Sequence, residues 1–150
     1  MDIQTKYLGE VSIDESSIIQ FHNGIPGFFD EKQFVLLDLP GNPAFHILQS
    51  VLDQHIAFIL TDPFNFYQSY TFELDDKTIE NLSIQSQEEV AVFSIVTLKQ
   101  PFEQSTINLK APIIINSKDK YGKQLILHQG DFPSKASLTS ENVTKLKGNR

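Results

Sequence analysis

The longest near-continuous apolar run in the chain, Val90–Leu98 (VAVFSIVTL), is rich in β-branched and aromatic residues. Such side chains fit a pleated surface, and a run with no polar face has to be covered on both sides. It is the expected central strand. Around it the apolar residues come in shorter groups separated by residues that turn the backbone, with no βαβ alternation and no internal repeat. About ten short strands with one or two minor helices suit a mainly all-β domain, either a barrel or a sandwich.

The stretch that follows, Ser105–Asn116 (STINLKAPIIIN), reads as a corner feeding a core strand. Ile113, Ile114 and Ile115 favour buried β-structure. Pro112 has no N–H to donate, which places it at the strand's start or on an edge. Thr106 and Asn108 lie among Ile107 and Leu109, where a short polar side chain is expected to bond backbone and fix a bend.

Earlier in the chain, Ile3, Thr5 and Tyr7 alternate with polar residues; with a turn at Gly9, Val11 and Ile13 would complete a hairpin. Ile18–Phe21 is a short apolar run. Pro26-Gly27 matches the centre of a type II turn, and of the two phenylalanines that follow, Phe28 and Phe29, one is expected inside and one outside. Gln33–Leu39, Phe45–Val51 and Ile56–Leu60 are strands, and Tyr70, Phe72 and Leu74 alternate like another. Asp75 or Asp76 can cap a two-turn helix that has Ile79 and Leu82 on one face. A turn over Asp119–Gly122 would join Ile113–Asn116 to Gln124–His128. One domain over 1–133 is expected, with Ser134–Arg150 a polar basic tail that is flexible or weakly helical around Val143 and Leu146.

The net charge of −7 is uneven. Ser134–Arg150 holds four basic residues against Glu141, whereas the rest of the chain has 8 basic and 18 acidic residues. An acidic body disfavours nucleic acid and suits a basic partner, although such a surface also simply keeps a protein soluble. The chain contains no cysteine, which removes disulfides and thiolate chemistry. MDIQTKYLGE resembles no signal or transit peptide, and no apolar run approaches the roughly 20 residues of a membrane span. These features together suggest a cytoplasmic location.

The search for chemistry yields no catalytic, metal or cofactor motif. His22, His46, His55 and His128 have no ligand spacing. No G-x-S-x-G elbow supports a nucleophile, and Gly24-x-x-Gly27 opens no helix. Adjacent carboxylates such as Asp75-Asp76 and Glu88-Glu89 point apart and do not form an acid–base pair. Phe64-Asn65-Phe66-Tyr67 differs from the other aromatic positions, because four consecutive loop residues do not all turn inward. Beside acidic residues it makes either a protein contact surface or a loop folded over a barrel mouth.

GIPGFFDEKQFVLL, FHILQS, the Asp62-Pro63-Phe64 step, and STINLKAPIIIN with GKQLILH occur in one order at matching separations. Together they resemble the FliW family of flagellar assembly factors, over nearly the whole chain from Ile3 to about Leu138. The resemblance implies a small β-barrel-like protein that is not an enzyme. It implies two partners, the translational regulator CsrA and flagellin, exchanged so that free FliW sequesters CsrA and relieves its repression of flagellin translation. On exposure and charge, not on the family motif, the expected partner-facing residues are Phe64, Phe66, Tyr67, Asp75, Asp76, Glu88 and Glu89. The other readings of the composition are a barrel holding a small flavin- or lipid-like ligand among its phenylalanines and a minor hydrolase using the histidines.

Overall fold

A computed structural model describes residues 1–138. In chain order its strands are β1 (Asp2–Gln4), β2 (Glu10–Ser12), β3 (Ile19–Gln20), β4 (Gln33–Asp38), β5 (Phe45–Ser50) and β6 (Ala57–Thr61). Helix α1 (Asp76–Asn81) follows, and then β7 (Val90–Thr97), β8 (Thr106–Ile107), β9 (Ile113–Asn116), β10 (Tyr121–Gln124) and β11 (Ala136–Ser137). β7 is the organising strand expected for the longest apolar run. On one side it pairs with β6; it also pairs with β9 through its first half and β8 through its second. Seven strands thereby close on themselves in the order β7–β6–β5–β4–β3–β10–β9 and back to β7. The ring is mostly antiparallel; β3 meets β10 in parallel at a single position, Tyr121 opposite Gln20.

Alternate residues of these strands face the interior of the ring. Phe34, Leu48, Leu60, Ile113 and Ile115, from four of the strands, meet Ile19, Phe21 and Ile25 in one cluster. Phe21 and Phe34 are fully buried and pack edge to face at 5.2 Å. A Cβ on Gly122 would lie 2.4 Å from the Phe21 ring, so glycine is required there by close packing and not by a turn. The expected Asp119–Gly122 turn therefore moves back: β9 and β10 pair from Asn116 opposite Tyr121, and the chain reverses between them with Lys120 at φ 61°.

The outer faces carry two further clusters. The β1–β2 hairpin lays Ile3 and Ile13 over Val35 and Val51. Tyr7 lies beyond the hairpin strands and is half exposed, because the first strand ends at Gln4. On the other side, Phe45, Ile47, Ile59 and Val96 are covered by Tyr70, Ile107, Leu109, Leu127, Ala136 and Leu138. Ser134–Leu138, placed in the tail by the sequence reading, is thus partly structural: β11 pairs with β8, and Ala136 and Leu138 are buried. Val143 and Leu146 lie outside the described residues.

The Ser105–Asn116 stretch runs antiparallel along β7, with the corner where it was expected. Five residues, Asn108–Pro112, stand opposite two, Ser94 and Ile95. Asn108 Oδ1 accepts hydrogen bonds from Lys110 N and Ala111 N, both at 3.0 Å, which holds the excursion closed. Asn116, fully buried at the far end, accepts from Lys118 N and Asp119 N and donates from Nδ2 to the carbonyls of Leu82 and Ser83. One amide thereby ties the β9–β10 turn to the C-terminal end of α1.

The turn at Ile25–Phe28 forms with Gly27 at φ 89° and a hydrogen bond from Phe28 N to Ile25 O. Neither phenylalanine after it is buried, however: Phe28 and Phe29 are 39% and 64% exposed. Ile25 takes the core position instead, and Phe28 packs its ring edge to face against Phe58.

Candidate partner-binding surface

The alternation of Tyr70, Phe72 and Leu74 predicts a strand, and the burial follows it, with Tyr70 buried and Thr71 and Glu73 exposed. The hydrogen bonding does not. No backbone group of Thr71, Phe72, Glu73 or Leu74 bonds to another described residue. The segment is an extended strap held at its ends. Tyr70 donates its hydroxyl to Leu109 O at 2.6 Å, and its ring packs against Phe64, Phe72 and Phe132. Burial pushes the Tyr70 phenol well above its ordinary pKa, so it stays a donor. At the other end Asp75 is the N-cap of α1, as the sequence predicts, accepting from Thr78 N at 2.9 Å.

A groove flanks the strap on each side. One, of about 530 Å³, lies between Thr71–Asp75 and Leu125–Gly130. The other, of about 480 Å³, lies between the strap and residues of α1 and the turn before β7, including Ile79, Ile84 and Val90.

The seven residues expected to face a partner are not equivalent. Phe64, in a single 3-10 turn capped by Asp62, is the exposed aromatic of its loop, at 38%. Phe66 and Tyr67 are half buried and pack on the outer cluster, and the Tyr67 hydroxyl donates to Ser137 O. The loop therefore combines the two readings open for it: it folds over the sheet and leaves one ring outside. Among the acidic residues, Asp75 and Glu89 are occupied. Thr78, whose side chain lies beside the Asp75 carboxyl and whose backbone N–H bonds to it, holds that carboxyl below its ordinary pKa. Glu89 is likewise lowered, first by the N–H of Gln85, and its other oxygen lies 3.7 Å from Lys118 Nζ. Asp76 and Glu88 are exposed, and their carboxylates have no hydrogen bond or ion pair with a described residue. They are the carboxylates free to meet a partner.

Sequence reasoning passed over the groove wall at Leu125–His128, which it took as part of the last hairpin. Leu125 N and Leu127 N do donate, to Pro112 O and Lys110 O. The backbone groups of Ile126 and His128 have no partner among the described residues. A run whose two edges are unequally paired carries no mark in the sequence, because backbone groups are the same at every position.

Among the described residues no three His, Asp or Glu side chains gather as a metal site would require. His22 packs against Tyr121 and His46 against Phe93, with His46 Nδ1 3.4 Å from Asp38. No helix is long and apolar enough to cross a membrane.

The FliW protein family model matches residues 2–138. The flagellar assembly factor FliW of Oceanobacillus iheyensis is 56% identical over 140 residues, covering 93% of this chain and 95% of its own. That of Bacillus subtilis is 46% identical over 142 residues, covering 95% and 99%. A crystal structure of the flagellar assembly factor FliW superimposes with a TM-score of 0.88 at 44% identity, covering 92% of this chain and 96% of that one. The overall fold is therefore a shared one, and this chain belongs to the FliW family.

Proposed function

We propose that this protein is a flagellar assembly factor that acts in the cytoplasm, without catalysis, by binding two protein partners in turn: the translational regulator CsrA, whose repression of flagellin translation it antagonises, and flagellin. Family membership over residues 2–138 is the observation that carries the proposal. The acidic body supports it, since a field of that sign speeds and orients encounter with a basic RNA-binding protein. The packed ring interior argues against the small-ligand alternative, because Phe21, Phe34, Leu48, Leu60 and Ile113 fill the space a ligand would need.

The CsrA-facing surface drawn from Phe64, Phe66, Tyr67, Asp75, Asp76, Glu88 and Glu89 narrows on physical grounds. Asp76 and Glu88 offer carboxylates with no internal bond and Phe64 a ring that is partly exposed while it packs on Tyr70, whereas the polar groups of Tyr67, Asp75 and Glu89 hold the fold. Mixing the protein with CsrA at micromolar concentration should give a co-eluting peak on size exclusion; two unshifted peaks would sink the proposal. Reversing the charge at Asp76 and Glu88 together should slow association and flatten its salt dependence. Hydrogen-exchange footprints with CsrA and with flagellin should overlap or be mutually coupled, as exchange of partners requires. Truncation after Leu138 should leave CsrA binding intact, since the basic residues removed repel a basic partner.

A further inference from the structure

A closed ring leaves few strand edges open, and exposed edges are the places where sheets acquire additional strands. The larger groove has extended backbone on both walls. Along one wall, Leu125 and Leu127 use their N–H groups to bond Pro112 and Lys110. In an extended chain successive residues present their backbone groups to opposite sides. Ile126 and His128 therefore turn theirs away from Lys110–Pro112, and both residues line the groove. Along the other wall runs the strap, whose backbone from Thr71 to Leu74 is wholly unbonded among the described residues.

We propose that this groove binds an extended segment of a partner protein by strand addition, with the incoming backbone pairing with Ile126 and His128 and the strap forming the opposite wall. Main-chain bonding of this kind is indifferent to sequence, so selectivity comes from alternate side chains. Apolar side chains of the incoming strand lie against Leu125, Leu127, Phe72 and Phe132. Of the two acidic residues lining the groove, Asp75 is engaged as the cap of α1, and the exposed Glu73 selects a segment carrying lysine or arginine between its apolar residues. The occupant is thus an extended, basic, alternately apolar peptide segment. Neither the exposed aromatic loop nor the free carboxylates supplies this mode of contact. It rests on the reading that the protein works by holding other proteins, but its test uses neither CsrA nor flagellin, so either can fail alone.

The test takes the full chain, labelled with 15N, and three kinds of blocked eight-residue peptide. The first alternates lysine with valine, the second alternates glutamate with valine, and the third kind is the lysine peptide N-methylated on one or the other alternate set of amides. The lysine peptide should shift the amide signals of Ile126 and His128 and slow their hydrogen exchange, with smaller shifts along Thr71–Leu74. The glutamate peptide should bind at least tenfold more weakly. At least one of the two N-methylated peptides should lose tenfold or more, because methylation removes the donors on one edge while keeping the side chains. In the protein, Ile126→Pro should abolish the lysine peptide's binding and Ile126→Ala should reduce it less than threefold, with both melting temperatures recorded. No shift at millimolar lysine peptide, shifts elsewhere on the protein, or N-methylated peptides that both bind like the parent would each overturn the proposal. So would an Ile126→Pro variant that melts like the parent and binds as well.

Discussion

Thr106–Asn116 and Thr71–Leu74 look alike as strings. Each is extended, and each has apolar residues alternating with polar ones over at least part of its length. Their backbones differ. The first is paired to β7 through β8 and β9, and its excursion is stitched by Asn108. The second makes no backbone bond to a described residue. Side-chain alternation reports which residues are buried, and Thr71–Leu74 and Thr106–Lys110 both obey it. It says nothing about whether a neighbouring strand is present, since that is decided by distant parts of the chain. In this protein the paired stretch builds the ring, and the unpaired one borders both grooves, where another chain can be accommodated.

If that division is right, damage to the paired region should cost stability and damage near the strap should cost little. Asn116→Ala should have the largest effect. It removes an amide that satisfies two N–H groups and two carbonyls at a buried site, and a loss of about 3 kcal/mol in chemical denaturation is expected. Gly122→Ala comes next. The new methyl meets the Phe21 ring inside the ring of strands, where the β-sheet leaves no room for it to move aside, and overpacking of this kind costs about 1–3 kcal/mol. A variant that melts like the parent at either position would show that the interior is looser than its packing implies.

Tyr70→Phe sharpens the comparison from the other side. It keeps the aromatic cluster with Phe64, Phe72 and Phe132 but deletes the bond to Leu109 O. Global stability should fall by only about 1 kcal/mol. The strap, lacking backbone bonds of its own, should nevertheless change its local environment more than the ring does. Amide chemical-shift changes confined to Tyr70–Asp75 and the facing Leu125–Gly130 would agree; changes spread through β4, β5 and β6 would mean that strap and ring form one cooperative unit.

How far the sequence reveals all this depends on the kind of interaction. Local chemistry was legible: Asp75 caps a helix, Asn108 fixes a corner, Gly27 makes a turn, and the run from Val90 is the strand on which the ring closes. Gly122 was misread as a turn residue because glycine serves turns and close packing alike, and only the position of Phe21 separates the two. Alternation assigns one of Phe28 and Phe29 to the inside, but a turn does not alternate, and Ile25 takes the core place. The candidate surface was half legible. Clustered acid and aromatic residues point to α1 and its flanking loops as the candidate. Which carboxylates were already occupied depended on partners such as Lys118 and the N–H of Gln85, and the groove wall at Ile126 and His128 depended on backbone directions that no residue type encodes.

The smallest expected effect tests whether the acidic groups near the strap also divide between structure and surface. Asp75 is ionised more readily in the folded protein than in the unfolded chain, chiefly because Thr78 bonds to it. A carboxyl with a lowered folded pKa contributes stability that is present above its ordinary pKa and is lost as the pH falls through the folded value. Asp75→Asn keeps a capping oxygen but removes the titration. The parent's melting temperature should therefore drop more between pH 6 and pH 3 than the variant's, with the gap opening below about pH 4, near the unperturbed carboxylate value. Asp76→Asn, which removes a carboxylate with no bonding partner, should track the parent through the same range. If the two variants behaved alike, Asp75 would have to be returned to the set of residues available to a partner.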